Sequence, residues 1–264
     1  MNRVYDYIDQ CLAYEQYAFT WDELKTQLNK SDSALRNELS RLTKKKEIIA
    51  LRQGFYIIVP PRYKQYGRLP IELYVQKLFQ YLNKPYYVAF YSAASFHGAS
   101  HQQVQQNYLM TQIPNVRDIK KGNNYLNISA TSNWPKNNII KRKSDAGLFN
   151  ISSPALTAID LIHYQSKMGG LNRIITILEE LTEVITAEDL INLLQWYPHT
   201  STIQRLGFIF EEIQTELFLI EPIQEFLKTK QLYPILLSPE NNKKAGKAKN
   251  PWKVDRNIEL ESDL

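Results

Sequence analysis

The 264-residue sequence holds one cysteine and four histidines. A single thiol, Cys11, excludes an internal disulfide framework and any cysteine-rich zinc site. It fits a reducing compartment. No apolar run reaches the roughly 18 residues that span a bilayer. The first residues, Met1 to Tyr7, lack the apolar core of a signal peptide. The expected location is therefore the cytoplasm, with no membrane partner. No glycine-rich phosphate loop of the P-loop or dinucleotide type occurs. A Gly-Ser turn followed by spaced aspartates, as a nucleotidyltransferase needs, is also missing. A metal-dependent nuclease needs paired carboxylates with a lysine. Asp118-Ile119-Lys120 offers one acid and one lysine, with no acid between Glu72 and Asp118.

The histidines do not fill that gap. His97 and His101 have the i, i+4 spacing of a metal pair, but Gly98 ends the helix between them. His97 therefore reads as a packed or hydrogen-bonded side chain. Asp160 and His163 lie one helical turn apart and read as a local pair. Glu179, Glu180 and Glu183 look like the solvated face of an apolar helix. The expectation is a non-enzyme with no catalytic residues, no metal and no cofactor.

What the chain does have is ordinary globular composition, 44% hydrophobic and 22% charged, with uneven charge. Residues 117–143 hold seven bases and one acid; residues 152–240 hold five bases and twelve acids; residues 241–256 hold six bases and one acid. A basic middle and an acidic helical half imply two different surfaces.

The most structured signal runs from Phe19 to Val59. Thr20-Trp21-Asp22-Glu23 is a capping box, with Phe19 and Leu24 placed as a hydrophobic staple. Ser31 or Asp32 caps the next helix, whose Leu35, Leu39 and Leu42 form a buried seam. The opposite face presents Ser33, Asn37, Ser40, Arg41 and Lys44, with Arg36 on the flank and Lys45 following. Hydroxyls, an amide and cations can donate to base edges and phosphates. Ile48–Leu51 and Phe55–Val59 form a hairpin around Arg52-Gln53-Gly54, where Gly54 supplies the turn. This pattern predicts a winged helix-turn-helix whose wing tip carries Arg52 and Gln53, and it makes double-stranded DNA the expected partner. Pro60-Pro61 closes the domain.

Beyond it, the pattern predicts a helix over 71–82, an extended run at 86–90, and a short helix capped by Ser92 and ended by Gly98. Strands follow at 106–111, 125–130, 138–143 and 148–152, most economically an antiparallel sheet. Four helices come next, opened by Ser153-Pro154, Leu171, Thr186 and a Ser201/Gln204 capping box. Pro222 bends the path into a last helix. Residues 240–264 look poorly ordered, although a lone Trp252 in such a tail often docks. The expected fold class is α+β. Residues 1–62 form the winged helix-turn-helix, 69–238 a larger α+β domain with a small antiparallel sheet and a helical C-terminal part, and 239–264 a basic tail. Arg117, Lys120, Lys121, Lys141, Arg142 and Lys143 are candidates for further polyanion contact, with solvated loop charge an equal reading.

The order of three features resembles the AbiEi family of antitoxins. These are the winged helix ending in Gly54-Phe55-Tyr56-Ile57, the stretch Ser92-Ala93-Ala94-Ser95-Phe96-His97-Gly98, and the stretch Ser153-Pro154-Ala155-Leu156-Thr157-Ala158-Ile159-Asp160-Leu161. The resemblance covers roughly residues 3–235. It implies a type IV toxin–antitoxin (abortive infection) pair that serves phage defence. The N-terminal domain would bind operator inverted repeats and repress its own operon. The C-terminal domain would counteract a cognate AbiEii-like nucleotidyltransferase toxin without needing a stable complex. Two molecules on an inverted repeat are expected, as a dimer on DNA. The alternative is a ligand-sensing transcriptional regulator without a toxin.

Overall fold

A computed structural model describes residues 3–99, 105–239, 243–246 and 248–261; His101 lies outside the described residues. Helix α1 (Val4–Ala13) buries Val4, Tyr7, Ile8 and Cys11 on one stripe. A short strand β1 (Ala18–Thr20) leads into α2 (Trp21–Gln27). The capping box forms as its residues require: Thr20 Oγ1 accepts the Glu23 N–H, and the Glu23 carboxylate accepts the Thr20 N–H. Helix α3 (Asp32–Lys44) is capped by Ser31, whose hydroxyl accepts from the Ala34 N–H. Strands β2 (Ile48–Arg52) and β3 (Phe55–Ile58) close a three-stranded antiparallel sheet of order β1-β3-β2. Leu24, Leu28, Leu35, Leu39, Leu42, Ile48 and Ile58 pack with the α1 stripe and Phe19 into one core.

After a short helix α4 (Pro61–Lys64), the predicted single helix over 71–82 is divided. A 3-10 turn occupies Ile71–Leu73, and α5 spans Val75–Tyr81. Tyr74 between them has φ −142°, outside the helical range. Strand β4 (Tyr86–Val88) feeds α6 (Phe90–Phe96). The expected Ser92 cap is wrong. The cap position is Ala89, Phe90 takes a left-handed φ of +51°, and Ser92 is buried inside the helix.

Strands β5 (Asn107–Gln112), β6 (Ile119–Lys121), β7 (Asn124–Thr131), β8 (Ile139–Ser144) and β9 (Gly147–Ser152) join β4 in a six-stranded sheet of order β6-β7-β5-β4-β9-β8. The four predicted strands form close to their expected places, but β6 was not foreseen, and the sheet is mixed, not antiparallel. β5 pairs β7 in parallel, and β4 pairs β9 in parallel. The reason is connection length: the segment between β5 and β7 acts as a crossover, and β6 folds back on the far side of β7. Periodicity marks a strand but not its partner. The register sets Leu109 opposite Ile128, so Tyr108 and Met110 share one sheet face while Leu126 and Ile128 share the other.

The remaining helices are α7 (Pro154–His163), α8 (Leu171–Thr182), α9 (Ala187–Leu194), α10 (Thr200–Glu212) and α11 (Leu217–Lys228), followed by a two-stranded parallel ladder of β10 (Ile235–Leu236) and β11 (Val254–Asp255). Helix α7 is buried from Ala155 to Ile162 because it packs against α6, α8, α9 and α10. An apolar surface all round is what such a central helix needs. The Ser201/Gln204 capping box does not form. His199 holds the cap position, and the buried Gln204 amide donates instead to Tyr233 O (3.1 Å) and Trp252 O (2.7 Å). Pro222 lies inside α11 and does not precede it.

The C-terminal segment is tied down where it is described. Trp252 is 1% exposed, and its indole N–H donates to Glu211 at 2.7 Å. Its ring covers Gly207 of α10 so closely that a Cβ there would lie 2.1 Å from it.

The chain divides into two compact units. The first holds the residues up to Tyr87 with Gln105–Ser132 and Lys141–Asn150; the second holds the rest. The fold is α+β, with eleven α-helices and three sheets among the described residues. No helix among them is long and apolar enough to cross a membrane.

Candidate functional site

The outward face of α3 gathers most of the sequence-derived candidates. Ser33, Arg36, Asn37, Ser40, Arg41, Lys44 and Lys45 are all exposed, while Leu35, Leu39 and Leu42 face the core. Arg41 and Lys44 sit in the last turn, where cations complement the helix dipole. The acids of α3 are occupied elsewhere. Asp32 pairs with Lys25 at 2.9 Å. Glu38 bonds to Lys30 and accepts the Val4 N–H at 2.9 Å. Burial pushes the Glu38 carboxyl up, but Lys30, the Val4 N–H and Arg41 outweigh it and hold the group below the usual range. The exposed stripe is thus cationic and polar, with its carboxylates committed to other partners.

Beside this stripe stands the tip of the β2–β3 hairpin. The Trp21 N–H donates to Gly54 O at 2.8 Å, and the Tyr81 hydroxyl donates to Gln53 O at 2.9 Å. Gly54 needs its φ of +74°, and a Cβ there would lie 2.7 Å from the Tyr81 hydroxyl. The tip is therefore clamped between α2 and α5. Gln53 is exposed, as expected of a tip. Arg52 is half-buried, and its Nη1 is enclosed without a hydrogen-bond partner among the described residues. Arg36 lies with its guanidinium carbon 5.3 Å from the centre of the Trp21 ring. Sequence reasoning treated Trp21 only as a capping-box member and did not single out Tyr81. A tryptophan on the first helical residue was the available signal for the first; Tyr81 carried none.

The basic segment 117–143 does not form one patch. Arg117 precedes β6, and Lys120 and Lys121 lie on β6 at one edge of the six-stranded sheet. Lys141, Arg142 and Lys143 lie on β8 at the opposite edge. All six are exposed, and Lys120 sits 4.9 Å over the Tyr125 ring. Asp118 accepts the Ile128 N–H at 2.7 Å, a structural bond within the same sheet. Strand β6 packs beside β2, so Lys120 and Lys121 belong to the neighbourhood of the hairpin. In the same unit an open cleft of about 1190 Å³ is lined by Glu15, Glu72, Lys77, Lys143 and Asp145, among others. Burial pushes the Glu72 carboxyl up, and Asp145 adds to the shift.

The described histidines of the second unit, His97, His163 and His199, have ordinary neighbours. His97 Nε2 lies 2.8 Å from Ser152 O. His163 Nδ1 meets the Thr202 hydroxyl at 3.1 Å, and its ring stacks on His199 at 4.6 Å. Burial, then His199 and Arg205, push His163 down to about 4. No group of three or more His, Cys, Asp or Glu among the described residues is placed to hold a metal. The two sequence stretches that carried the family resemblance meet here. α6 packs on α7, His97 reaches Ser152 O, and Ser153 caps α7 through the Leu156 N–H. Asn138 ties the start of α7 to α9: its amide donates to Asp189, whose carboxylate accepts the Ala155 N–H at 2.8 Å. These stretches make a packing signature between α6 and α7.

Residues 87–212 match the family model of the AbiEi antitoxin C-terminal domain. The chain also resembles the crystal structure of the RV2827C protein from Mycobacterium tuberculosis, with a TM-score of 0.66 and 14% identity, covering 94% of this chain and 88% of that one. That likeness shows a shared fold. A search of curated proteins returns no match. Residues 87–212 thus carry an AbiEi antitoxin C-terminal domain, which supports a toxin–antitoxin role for the chain.

Proposed function

We propose that this antitoxin binds double-stranded operator DNA through its N-terminal part and represses its own operon. Its C-terminal domain then counteracts a nucleotidyltransferase-like toxin, and the protein is not an enzyme. The observation that carries the DNA reading is the α3 face: seven exposed polar or cationic residues beside a hairpin, with the acids of the helix held by other partners. Three helices with an antiparallel sheet of order β1-β3-β2 support the winged-helix assignment of residues 1–62. In that arrangement α3 enters the major groove, and Ser33, Asn37, Ser40 and Arg41 reach base edges. Lys44 and Lys45 meet the phosphates, and two molecules occupy an inverted repeat. Lys120 and Lys121, beside β2, extend the phosphate contacts; the β8 cations, at the other sheet edge, do not.

The test is binding of the full-length protein to a labelled duplex from upstream of its own reading frame. Arg36→Ala with Arg41→Ala should abolish specific binding at physiological salt. The residual binding should show a salt slope smaller by about 2 if both arginines neutralise phosphates, and by about 1 if Arg41 reads a base. Growth rescue against the cognate toxin should persist in the same variant. Normal repression of the promoter by that double variant would sink the assignment of α3.

A further inference from the structure

The proposal concerns Trp21 and rests on the DNA-reading role proposed above. Arg36 lies on the flank of the α3 stripe, on the side of α2. Its guanidinium carbon is 5.3 Å from the centre of the Trp21 ring, within the range of a cation–π contact. No ion pair or hydrogen bond among the described residues engages its N–H groups, and the side chain is exposed. The ring itself has little freedom. Trp21 is the first residue of α2, behind the Thr20 cap. Its backbone N–H is bonded to Gly54 O at the hairpin tip. Its half-buried side chain packs on the N-terminal core. The tip is held from the other side by Tyr81. Nearby, Tyr56 stacks on Phe19 at 5.2 Å and feels the Arg36 charge.

We propose that Trp21 is a positioning residue for Arg36: its indole face holds the guanidinium in one outward orientation, ready to meet a DNA backbone phosphate. A long, flexible arginine otherwise loses rotamer freedom on binding. A guanidinium already laid on an aromatic face has lost much of it, while its N–H edge stays available for a bidentate phosphate contact. A phosphate is the fitting acceptor because Trp21 draws Arg36 away from the centre of the stripe, toward α2.

The test is a double-mutant cycle in full-length protein, read as affinity for a fluorescein-labelled duplex from upstream of the reading frame and for a scrambled duplex of equal length. Trp21→Leu should weaken binding about fivefold, the upper range for an exposed cation–π contact, and equally on both duplexes, as loss of a phosphate contact does. Trp21→Phe should restore most of it. In an Arg36→Ala background, Trp21→Leu should have no further effect. An equal loss with and without Arg36 would overturn the proposal, because Trp21 would then act by itself or through the fold. A loss confined to the upstream duplex would overturn the phosphate assignment. A wild-type protein that binds neither duplex would instead remove the DNA reading on which the proposal rests.

Discussion

Single side chains decide how the C-terminal segment is held. Gly207 lies inside α10, where glycine weakens a helix by up to about 1 kcal/mol relative to alanine. The structure shows what that glycine makes room for: the Trp252 ring lies where its Cβ would be. Gly207→Ala should therefore destabilise the protein by about 1–3 kcal/mol through overpacking, despite the better helix propensity. Trp252→Ala should cost about 3–5 kcal/mol by leaving a cavity. Urea midpoints for the two variants check both signs, and a stabilised Gly207→Ala protein would show that the segment does not dock there. The docking of Trp252 was a sequence expectation; its seat on Gly207 was invisible, because a ring and a glycine 45 positions apart share no local pattern.

Elements were legible in proportion to how local their causes are. The α2 start follows from four consecutive residues, and its capping box is formed. Thr20→Ala should lower stability by about 1 kcal/mol, measurable as a drop in the urea midpoint of the intact protein. The α7 start at Ser153-Pro154 was equally readable. The Ser201/Gln204 pattern misled because Gln204 had a better use. Buried beside Trp252, its amide satisfies two carbonyls that a capping bond would have left bare. The sheet misled for a different reason. Alternation places strands, but direction depends on which strands meet, and β6 slips outside β7. The same topology sends cations that are neighbours in sequence to opposite sheet edges.

For the whole molecule, pH is the most direct probe. His163 is pushed down to about 4 from an ordinary 6.5, by burial first and then by His199 and Arg205. Between those values the unfolded chain takes up a proton that the folded one refuses. The stability contributed by a neutral His163 is complete above about 6.5 and is lost as pH falls toward 4. The melting temperature should drop across that window, and His163→Asn should flatten the drop. Glu38 adds a separate loss at more acid pH, because its folded carboxyl titrates below the usual range. An unchanged slope in the His163 variant would place the acid sensitivity elsewhere.

The sequence by itself determined the helices and strands whose periods and caps are local, the exposed polar face of α3, and the stretches that resemble the AbiEi antitoxins. Each of these depends on residues within a turn or two of one another. Tertiary structure alone decided the mixed sheet, the division of the cations between β6 and β8, the clamp of Trp21 and Tyr81 on the hairpin tip, and the seat of Trp252. Those features depend on which distant segments meet, and pairing is settled by packing and connection length, which no local pattern records. The α3 face thus keeps the residues read from the sequence, while Arg36 gains a neighbour in Trp21 that only folding supplies.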